Sequence, residues 1–299
     1  MRISPRLIRE ARNHSPLLPY LLRANRNIER AAQELKWIQN ELAPSQWKNA
    51  VIMRHNLHPL QYILGSQPFG SLDIKCRENV LIPRPETEEW VLKLCSILQH
   101  RQGKQRKLQI VDACTGSGCI GLLTKYELQD DISMTMFDIS EHAVELSMEN
   151  QTQYSSLDAN ILQLDLSDVN LADKLPTQQD LILSNPPYIP LSDYKRPVLL
   201  NGVEESVRLY EPQLALVGEN EFYSMLLENL VKPTSANGFV FELGYREQAQ
   251  FIRNNLGDDW ICGVYYDYND NIRCSIGWRV GSEMSYLQDM CNEILKIDE

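Results

Sequence analysis

The run Ser184-Asn185-Pro186-Pro187-Tyr188-Ile189 carries the most chemistry in this chain, and it follows a short apolar stretch that starts at Leu181. Two consecutive prolines supply no ladder donors and fix φ, so the backbone must leave a sheet there. Their missing amide protons leave carbonyls free to accept hydrogen bonds at defined positions. Asn185 adds a side-chain oxygen acceptor and Tyr188 a flat aromatic face. Such a group suits a planar amide or amine NH₂. Asn185 Oδ1 and the Pro186 carbonyl can grip its two protons, which favours the rehybridised nitrogen that attacks a sulfonium methyl. Holding the two in line supplies much of the rest, since orientation is worth about 7–11 kcal/mol of barrier. The chemistry requires neither a metal nor a strong base. A proline-rich turn that merely ends a strand would explain the prolines but not the flanking Asn185 and Tyr188.

A second group lies upstream. Ile110-Val111-Asp112-Ala113 reads as a strand, Cys114-Thr115-Gly116-Ser117-Gly118 as a small-residue turn, and Cys119-Ile120-Gly121 as the start of a helix. In a doubly wound sheet that junction lies at the ligand-binding edge, where glycines let the backbone approach a nucleotide-type ligand closely. The dinucleotide fingerprint is not well met, because Cys114 stands where its first glycine is expected. Further on, Asp138 ends the next strand, where an acidic side chain can accept from both hydroxyls of a ribose. The same position would serve to cap the following helix, with Ser140 sharing that work. In Leu164-Asp165-Leu166, after a third strand, Asp165 is a candidate acceptor for the exocyclic amine of an adenine.

These residues need a frame. From about Leu17 to Leu64 apolar residues recur at three- and four-residue intervals, broken by Pro44 and Pro59, which predicts a bundle of short helices. After Gly65 the period drops towards two through Phe69, Leu72, Ile74 and Cys76. Val80, Leu81 and Ile82 follow the polar turn Arg77-Glu78-Asn79, so a linking β-hairpin is expected. Beyond Pro85 strand-like and helix-like stretches alternate. Strands are expected over Leu108 to Ala113, Ser133 to Phe137, Asn160 to Leu164, Leu181 to Ser184 and Phe239 to Leu243. Helices are expected over Cys119 to Leu128, Glu141 to Asn150, Glu221 to Val231 and Arg246 to Asn255. Repeated βα units imply a parallel, doubly wound sheet. Trp260 to Tyr268 and Ile272 to Val280, joined by Asn269-Asp270-Asn271, add a closing antiparallel pair.

Composition narrows the class. At 299 residues and 43% hydrophobic the chain can bury a core in one or two domains. Polar residues interrupt even its richest apolar runs, so no membrane span is expected. Seven scattered cysteines form no C-x-x-C pair, which points to a reducing compartment and no structural zinc; Cys114 and Cys119 read as packing residues. The first 75 residues hold 11 Lys and Arg against 5 Asp and Glu, so of the net −11 the remainder carries −17. An acidic body repels a phosphate backbone and disfavours nucleic acid as the substrate. Arg2, Arg6, Arg9, Arg12, Arg23, Arg26 and Arg30 give the start the bias of a mitochondrial presequence. The alternative is a solvated face of helices whose cores are Leu17, Leu18, Leu21 and Leu22.

The chain resembles the HemK/PrmC family of release-factor glutamine methyltransferases, most closely its yeast mitochondrial branch. The resemblance rests on Gln61-Tyr62-Ile63-x-Gly65 with Phe69, on Leu81-Ile82-Pro83-Arg84-Pro85-Glu86-Thr87-Glu88, and on the Asp112 to Gly118 turn. It continues through Asp138-Ile139-Ser140, Asn185-Pro186-Pro187-Tyr188, Tyr210-Glu211-Pro212 and Ala215-Leu216. Asn-Pro-Pro-Tyr alone is shared with adenine amino-methyltransferases; the Ile-Pro-Arg-Pro-Glu-Thr-Glu run is more specific. The resemblance implies a Rossmann-like class I methyltransferase domain over 85–299, with a mostly parallel seven-stranded sheet ending in an antiparallel hairpin. It implies a helical domain over 1–66 that docks a peptide chain release factor, and a linking hairpin over 67–84. The implied cofactor is S-adenosylmethionine and the implied target the Gly-Gly-Gln loop, modified by a monomer in the mitochondrial matrix, with the cytoplasm as the alternative.

By the same resemblance Asn185 and Pro186 are catalytic, and Pro187, Tyr188, Arg84 and Glu86 join them in binding substrate. Pro85, Thr87, Asp112, Thr115, Gly116, Ser117, Gly118, Asp138, Ile139, Asp165, Leu166 and Asn185 bind the cofactor. An Arg84–Glu86 ion pair steadying the hairpin is the bland alternative for those two. Where the family has Leu-Gly-Thr-Gly-Ser-Gly this chain has Ala113-Cys114-Thr115-Gly116-Ser117-Gly118, which bears on the fit around the methionine moiety. Two rivals differ in class. An adenine amino-methyltransferase needs a basic cleft, which the −17 body does not offer. A non-catalytic scaffold has no use for both the glycine turn and the amide-gripping tetrad.

Overall fold

The computed structural model describes residues 3–100, 106–154, 156–176, 178–200 and 202–297. Arg2 of the arginine-rich start lies outside the described residues. Five helices open the chain: α1 Pro5–His14, α2 Leu18–Asn25, α3 Ile28–Glu41, α4 Trp47–His55 and α5 Leu60–Leu64. Ser4 and Asn27 cap the orphan amides of α1 and α3, their side chains accepting from Leu7 N at 3.2 Å and Arg30 N at 2.9 Å. Leu18, Leu21 and Leu22 are buried with Ala31 and Ile38, so the leucine spacing belongs to a folded core. Arg6, Arg9, Arg12, Arg23, Arg26 and Arg30 stand exposed on its surface.

The linking hairpin pairs β1 Ser66–Phe69 with β2 Leu72–Lys75 and turns at Gly70, whose φ is +57°. The expected turn at Arg77-Glu78-Asn79 therefore does not join two strands, and Val80 to Ile82 are not a strand. They run as an irregular segment held from elsewhere: Tyr62 Oη donates to Val80 O at 2.7 Å, and Ile82 N donates to Glu211 Oε2 at 3.1 Å. Helix α6 Pro85–Gln99 follows, which the expected βα series lacks; proline at its first turn and Glu86 and Glu88 beside it are ordinary start signals.

The main sheet combines β3 Leu108–Ala113, β4 Ile132–Asp138, β5 Ala159–Gln163, β6 Leu181–Ser184, β7 Gly238–Glu242, β8 Trp260–Tyr266 and β9 Ile272–Arg279. A two-residue strand, β10 Glu293–Ile294, pairs with β8 and makes eight strands where seven are expected. Their order is β10-β8-β9-β7-β6-β3-β4-β5, parallel from β5 to β7 and antiparallel beyond. Helices α7 Cys119–Leu128 and α8 Glu141–Thr152 follow β3 and β4. Short helices α9 Leu191–Lys195 and α10 Glu205–Tyr210 lie in the long connection after β6. Helix α11 Asn220–Met225 widens into π-type turns over Leu226–Val231, and α12 Arg246–Asn254 precedes β8. Alternate residues feed two cores. Ile110, Leu181, Leu183 and Val240 meet Trp90, Leu94 and Trp278 on one face, while Val111, Ile182, Phe239 and Phe241 meet Tyr223, Leu226 and Ile252 on the other.

Chain order reverses between β3 and β6, which are adjacent and parallel, with Ala113 beside Ser184. A crevice beyond the carboxyl ends of the strands is expected at such a switch point. The two motifs sit there side by side, the glycine turn after β3 and the Asn-Pro-Pro-Tyr turn after β6. Among the described residues no helix is long and apolar enough to cross a membrane.

Leu21 is fully buried among the opening helices, so Leu21→Ala should cost about 2–5 kcal/mol of their stability. Urea unfolding followed by helical circular dichroism measures it, and a loss well under 1 kcal/mol would mean that the helical core is not packed as described.

Candidate active site

Beyond β3 the chain makes a left-handed turn, with φ of +57° at Cys114, +57° at Gly116 and +84° at Gly118. The three positions differ in what confines them. A Cβ on Gly118 would meet Leu122, Met136 and Ser147 side chains at 3.0 Å, so that glycine seats the start of α7 against the sheet. A Cβ on Gly116 would meet nothing within 4 Å. Cys114 holds the left-handed backbone that glycine adopts without strain, and burial pushes its thiol above the ordinary range, so it packs rather than reacts.

Two carboxylates brace this turn. Asp112 is fully buried; its Oδ2 accepts from Thr115 Oγ1 at 2.5 Å and from Gly121 N at 3.0 Å, while its Oδ1 has no partner among the described residues. Burial lifts its pKa to about 7 against those two hydrogen bonds, with the charge of Asp138 adding to the rise. Asp138 Oδ2 accepts from Gly116 N and its Oδ1 from Ser140 N, both at 2.9 Å. Ser140 itself caps α8. Asp138 thus clips the glycine turn to the start of the next helix, and burial raises its pKa.

A cavity of about 290 Å³ opens over this clip. Its wall includes Thr115, Gly116, Ser117, Asp138 and Ile139, and on the opposite side Ile82, Arg84, Thr87 and Asn185. Ile139 is 48% exposed and offers an apolar edge beside the carboxylate. A second cavity, about 370 Å³, is lined by Leu81, Arg84, Glu86, Asn185, Tyr188 and Arg273 among others. Asn185 and Arg84 border both. Arg84 pairs with the buried Glu211 at 2.7 Å rather than with Glu86, so its ion pair ties the segment before α6 to the end of α10. Pro187 lines the first cavity, whereas Pro186, expected to be catalytic, is buried and its side chain lines neither cavity.

Several expected cofactor residues lie elsewhere. Asp112 and Gly118 sit under the turn and Pro85 is exposed at the start of α6. Asp165 is exposed and caps its own turn by accepting from Ser167 N at 2.8 Å, and Leu166 is buried. None of these four residues, nor Leu166, lines the first cavity.

One residue absent from the expected set lies behind the walls, bonded to Thr87 of the first cavity and Tyr188 of the second. Glu242, 1% exposed at the end of β7, accepts from Thr87 Oγ1 and Trp90 Nε1 at 2.7 Å each through Oε2, and from Tyr188 Oη at 3.3 Å through Oε1. Burial raises its pKa, against the pull of Trp90, Thr87 and the charge of Arg273. An acid closing the apolar strand Phe239-Val240-Phe241 is the signal that could have revealed it.

Residues 94–233 match the model of the methyltransferase small domain. The chain is 37% identical over 289 residues to the mitochondrial MRF1 N(5)-glutamine methyltransferase MTQ1 of Saccharomyces cerevisiae, covering 93% of this chain and 89% of that protein. It is also 37% identical over 227 residues to the release factor glutamine methyltransferase of Leptospira interrogans, covering 75% and 76%. The chain belongs to the release factor glutamine methyltransferase family. The N-terminal domain of human METTL16 in complex with SAH shares the fold alone, at 17% identity and a TM-score of 0.51, covering 79% of this chain and 84% of that one. As a family member this chain is an enzyme whose cofactor is S-adenosylmethionine. The residues present suit that group. A carboxylate with spare lone pairs faces open space suited to ribose hydroxyls, Gly116 leaves room that a Cβ would take, and Ile139 offers a flat apolar contact.

Two outcomes follow. Asp138→Ala should weaken S-adenosylmethionine binding at least about tenfold, since charged hydrogen bonds are worth about 1.5–3 kcal/mol each; unchanged affinity by calorimetry removes Asp138 from the site. For Asp112, whose folded pKa of about 7 lies above the ordinary 3.8, folding favours the neutral acid. Its contribution to stability is full below about pH 4 and is lost as pH rises through 7. Relative to Asp112→Asn, the wild type should therefore lose stability across that window in urea titrations; parallel pH curves would show that the buried acid does not titrate there.

Proposed function

We propose that this enzyme transfers the methyl group of S-adenosylmethionine to the side-chain amide nitrogen of the glutamine in the Gly-Gly-Gln loop of a peptide chain release factor in the mitochondrial matrix. The observation that carries the reading is that Asn185 borders both cavities, the one built on the glycine turn and Asp138 and the one lined by Tyr188 and Glu86. A single acceptor side chain therefore stands where a methyl donor in one and a planar amide in the other would meet. S-adenosylmethionine, when bound, supplies an electrophilic sulfonium methyl.

The chain's own residues supply orientation. Asn185 Oδ1 and the Pro186 carbonyl each accept an amide proton, which draws the nitrogen lone pair out of conjugation. Two prolines fix those acceptors, because φ is set by the rings. Tyr188 supplies a flat wall, and its carbonyl accepts from Gln248 Nε2 at 2.9 Å, which ties the turn to α12. Arg84, already paired with Glu211, presents a cation at the shared rim. The opening helices dock the release factor; the net +6 of the first 75 residues suits an acidic protein face better than the −17 body does. The relative named for MRF1, a mitochondrial protein, supports the compartment.

Incubation with labelled cofactor and a release factor, followed by peptide mass spectrometry, should place one methyl on the loop glutamine. Asn185→Ala should cut turnover by at least about 10²-fold, as loss of a preorganised polar contact does, with cofactor affinity barely changed. Glutamate in place of the loop glutamine removes the nitrogen and should abolish transfer, and duplex DNA or RNA should accept none. Near-normal turnover by the Asn185→Ala enzyme, or methylation of adenine, would defeat the reading.

A further inference from the structure

An asparagine amide is two-faced: turned over by 180° about its Cβ–Cγ axis it offers NH₂ where it had offered oxygen. A site that grips substrate protons with Asn185 Oδ1 must therefore hold the side chain one way round. The residues behind Asn185 form a chain of hydrogen bonds, and with Glu242 ionised its direction follows from the donor inventory.

Trp90 Nε1 is only a donor, and it lies 2.7 Å from Glu242 Oε2, so that oxygen accepts. Thr87 Oγ1 lies 2.7 Å from the same oxygen and gives it the hydroxyl's one proton. Towards its other neighbour Thr87 can then only accept. That neighbour is Asn185, at 3.4 Å, and the group it turns to Thr87 must be the NH₂. The planar amide then leaves Oδ1 on the side away from Thr87. Thr87 and Glu242 are each 1% exposed, so their mutual bond is withdrawn from bulk water.

We propose that Thr87 is a positioning residue: with its hydroxyl proton committed to Glu242, it fixes the Asn185 amide so that oxygen, not NH₂, faces the substrate nitrogen. The proposal rests on the glutamine-methylation reading and changes the part assigned to Thr87 by resemblance, from cofactor contact to control of Asn185. Glu242 and Trp90 act one step further back, setting the direction of the hydroxyl. Without Thr87's acceptor the amide is free to turn, and its NH₂ would oppose a substrate NH₂, donor against donor.

The test compares wild type, T87V, T87S, N185A and T87V/N185A in methyl transfer to a purified release factor, with cofactor affinity read by calorimetry. T87V keeps the shape and removes the hydroxyl, and should lower kcat about 10- to 100-fold while KM for the release factor and Kd for the cofactor stay within about twofold. T87S, which keeps the hydroxyl, should recover most of the rate. In the N185A background T87V should cost nothing further, because the residue acts through a side chain that is gone. Losses that multiply in the double variant, a change confined to cofactor affinity, or wild-type turnover by T87V would each overturn the proposal. If T87V does not fold, T87A and T87A/N185A decide by the same criteria. Wild-type enzyme that leaves the loop glutamine unmethylated overturns the functional reading itself, and the assigned role of Thr87 with it.

Discussion

A carboxylate shut away from water must find donors or give up its charge. Glu242 meets that demand with three donors from two other parts of the chain: Thr87 and Trp90 on α6, and Tyr188 on the turn after β6. Arg273 on β9 adds an opposing charge. Meeting the demand of one buried group thereby sets the distance between the helix that follows the Ile-Pro-Arg-Pro run and the Asn-Pro-Pro-Tyr turn. Both segments contribute to both cavities, Thr87 and Asn185 to the first and Glu86, Asn185 and Tyr188 to the second, so pairing one acid fixes part of the geometry of the site.

The same logic works on the cofactor side with different parts. Asp112 and Asp138 stand at the ends of neighbouring strands, and each takes backbone amides that a tight left-handed turn would otherwise leave orphaned. Asp112 is sealed below the turn and holds its shape; Asp138 faces the cavity and keeps lone pairs for a ligand. Both carboxylates brace the turn, and depth alone decides that Asp138 and not Asp112 borders the cavity. Cys114 shows the tolerance of the arrangement: the backbone keeps a left-handed conformation there although the side chain is no longer hydrogen.

The helical domain is joined to this site by more than its linker. Tyr210 donates to Asn56 O at 2.9 Å and Ser206 to Leu57 O at 2.7 Å, so α10 is bonded to the turn between α4 and α5. Glu211, the next residue, holds Arg84 and the Ile82 amide. The opening helices are thereby bonded, through α10 and Glu211, to the rim shared by both cavities.

The sequence by itself determined what depends on near neighbours. Strand, turn and helix around Cys114 to Gly118 follow from a short apolar run, small residues and a resumed helical period; β3, α7 and β6 have the expected bounds for that reason. The prolines after Asn185 dictate departure from the sheet wherever the strand lies. Helix α6 is missing from the expected series although Pro85, the acids of its first turn and the spacing of Trp90, Leu94 and Leu98 are local signals for it. What the tertiary structure decided depends on partners far along the chain. Ser184 lies beside Ala113, and Glu242 bonds to residues more than 150 positions away. No local pattern states which strand becomes whose neighbour or which buried acid meets which donor. For the same reason Asp165, placed after a strand like Asp138, turned to its own backbone, and Val80 to Ile82, periodic like a strand, became a cavity wall once Tyr62 and Glu211 took their polar groups.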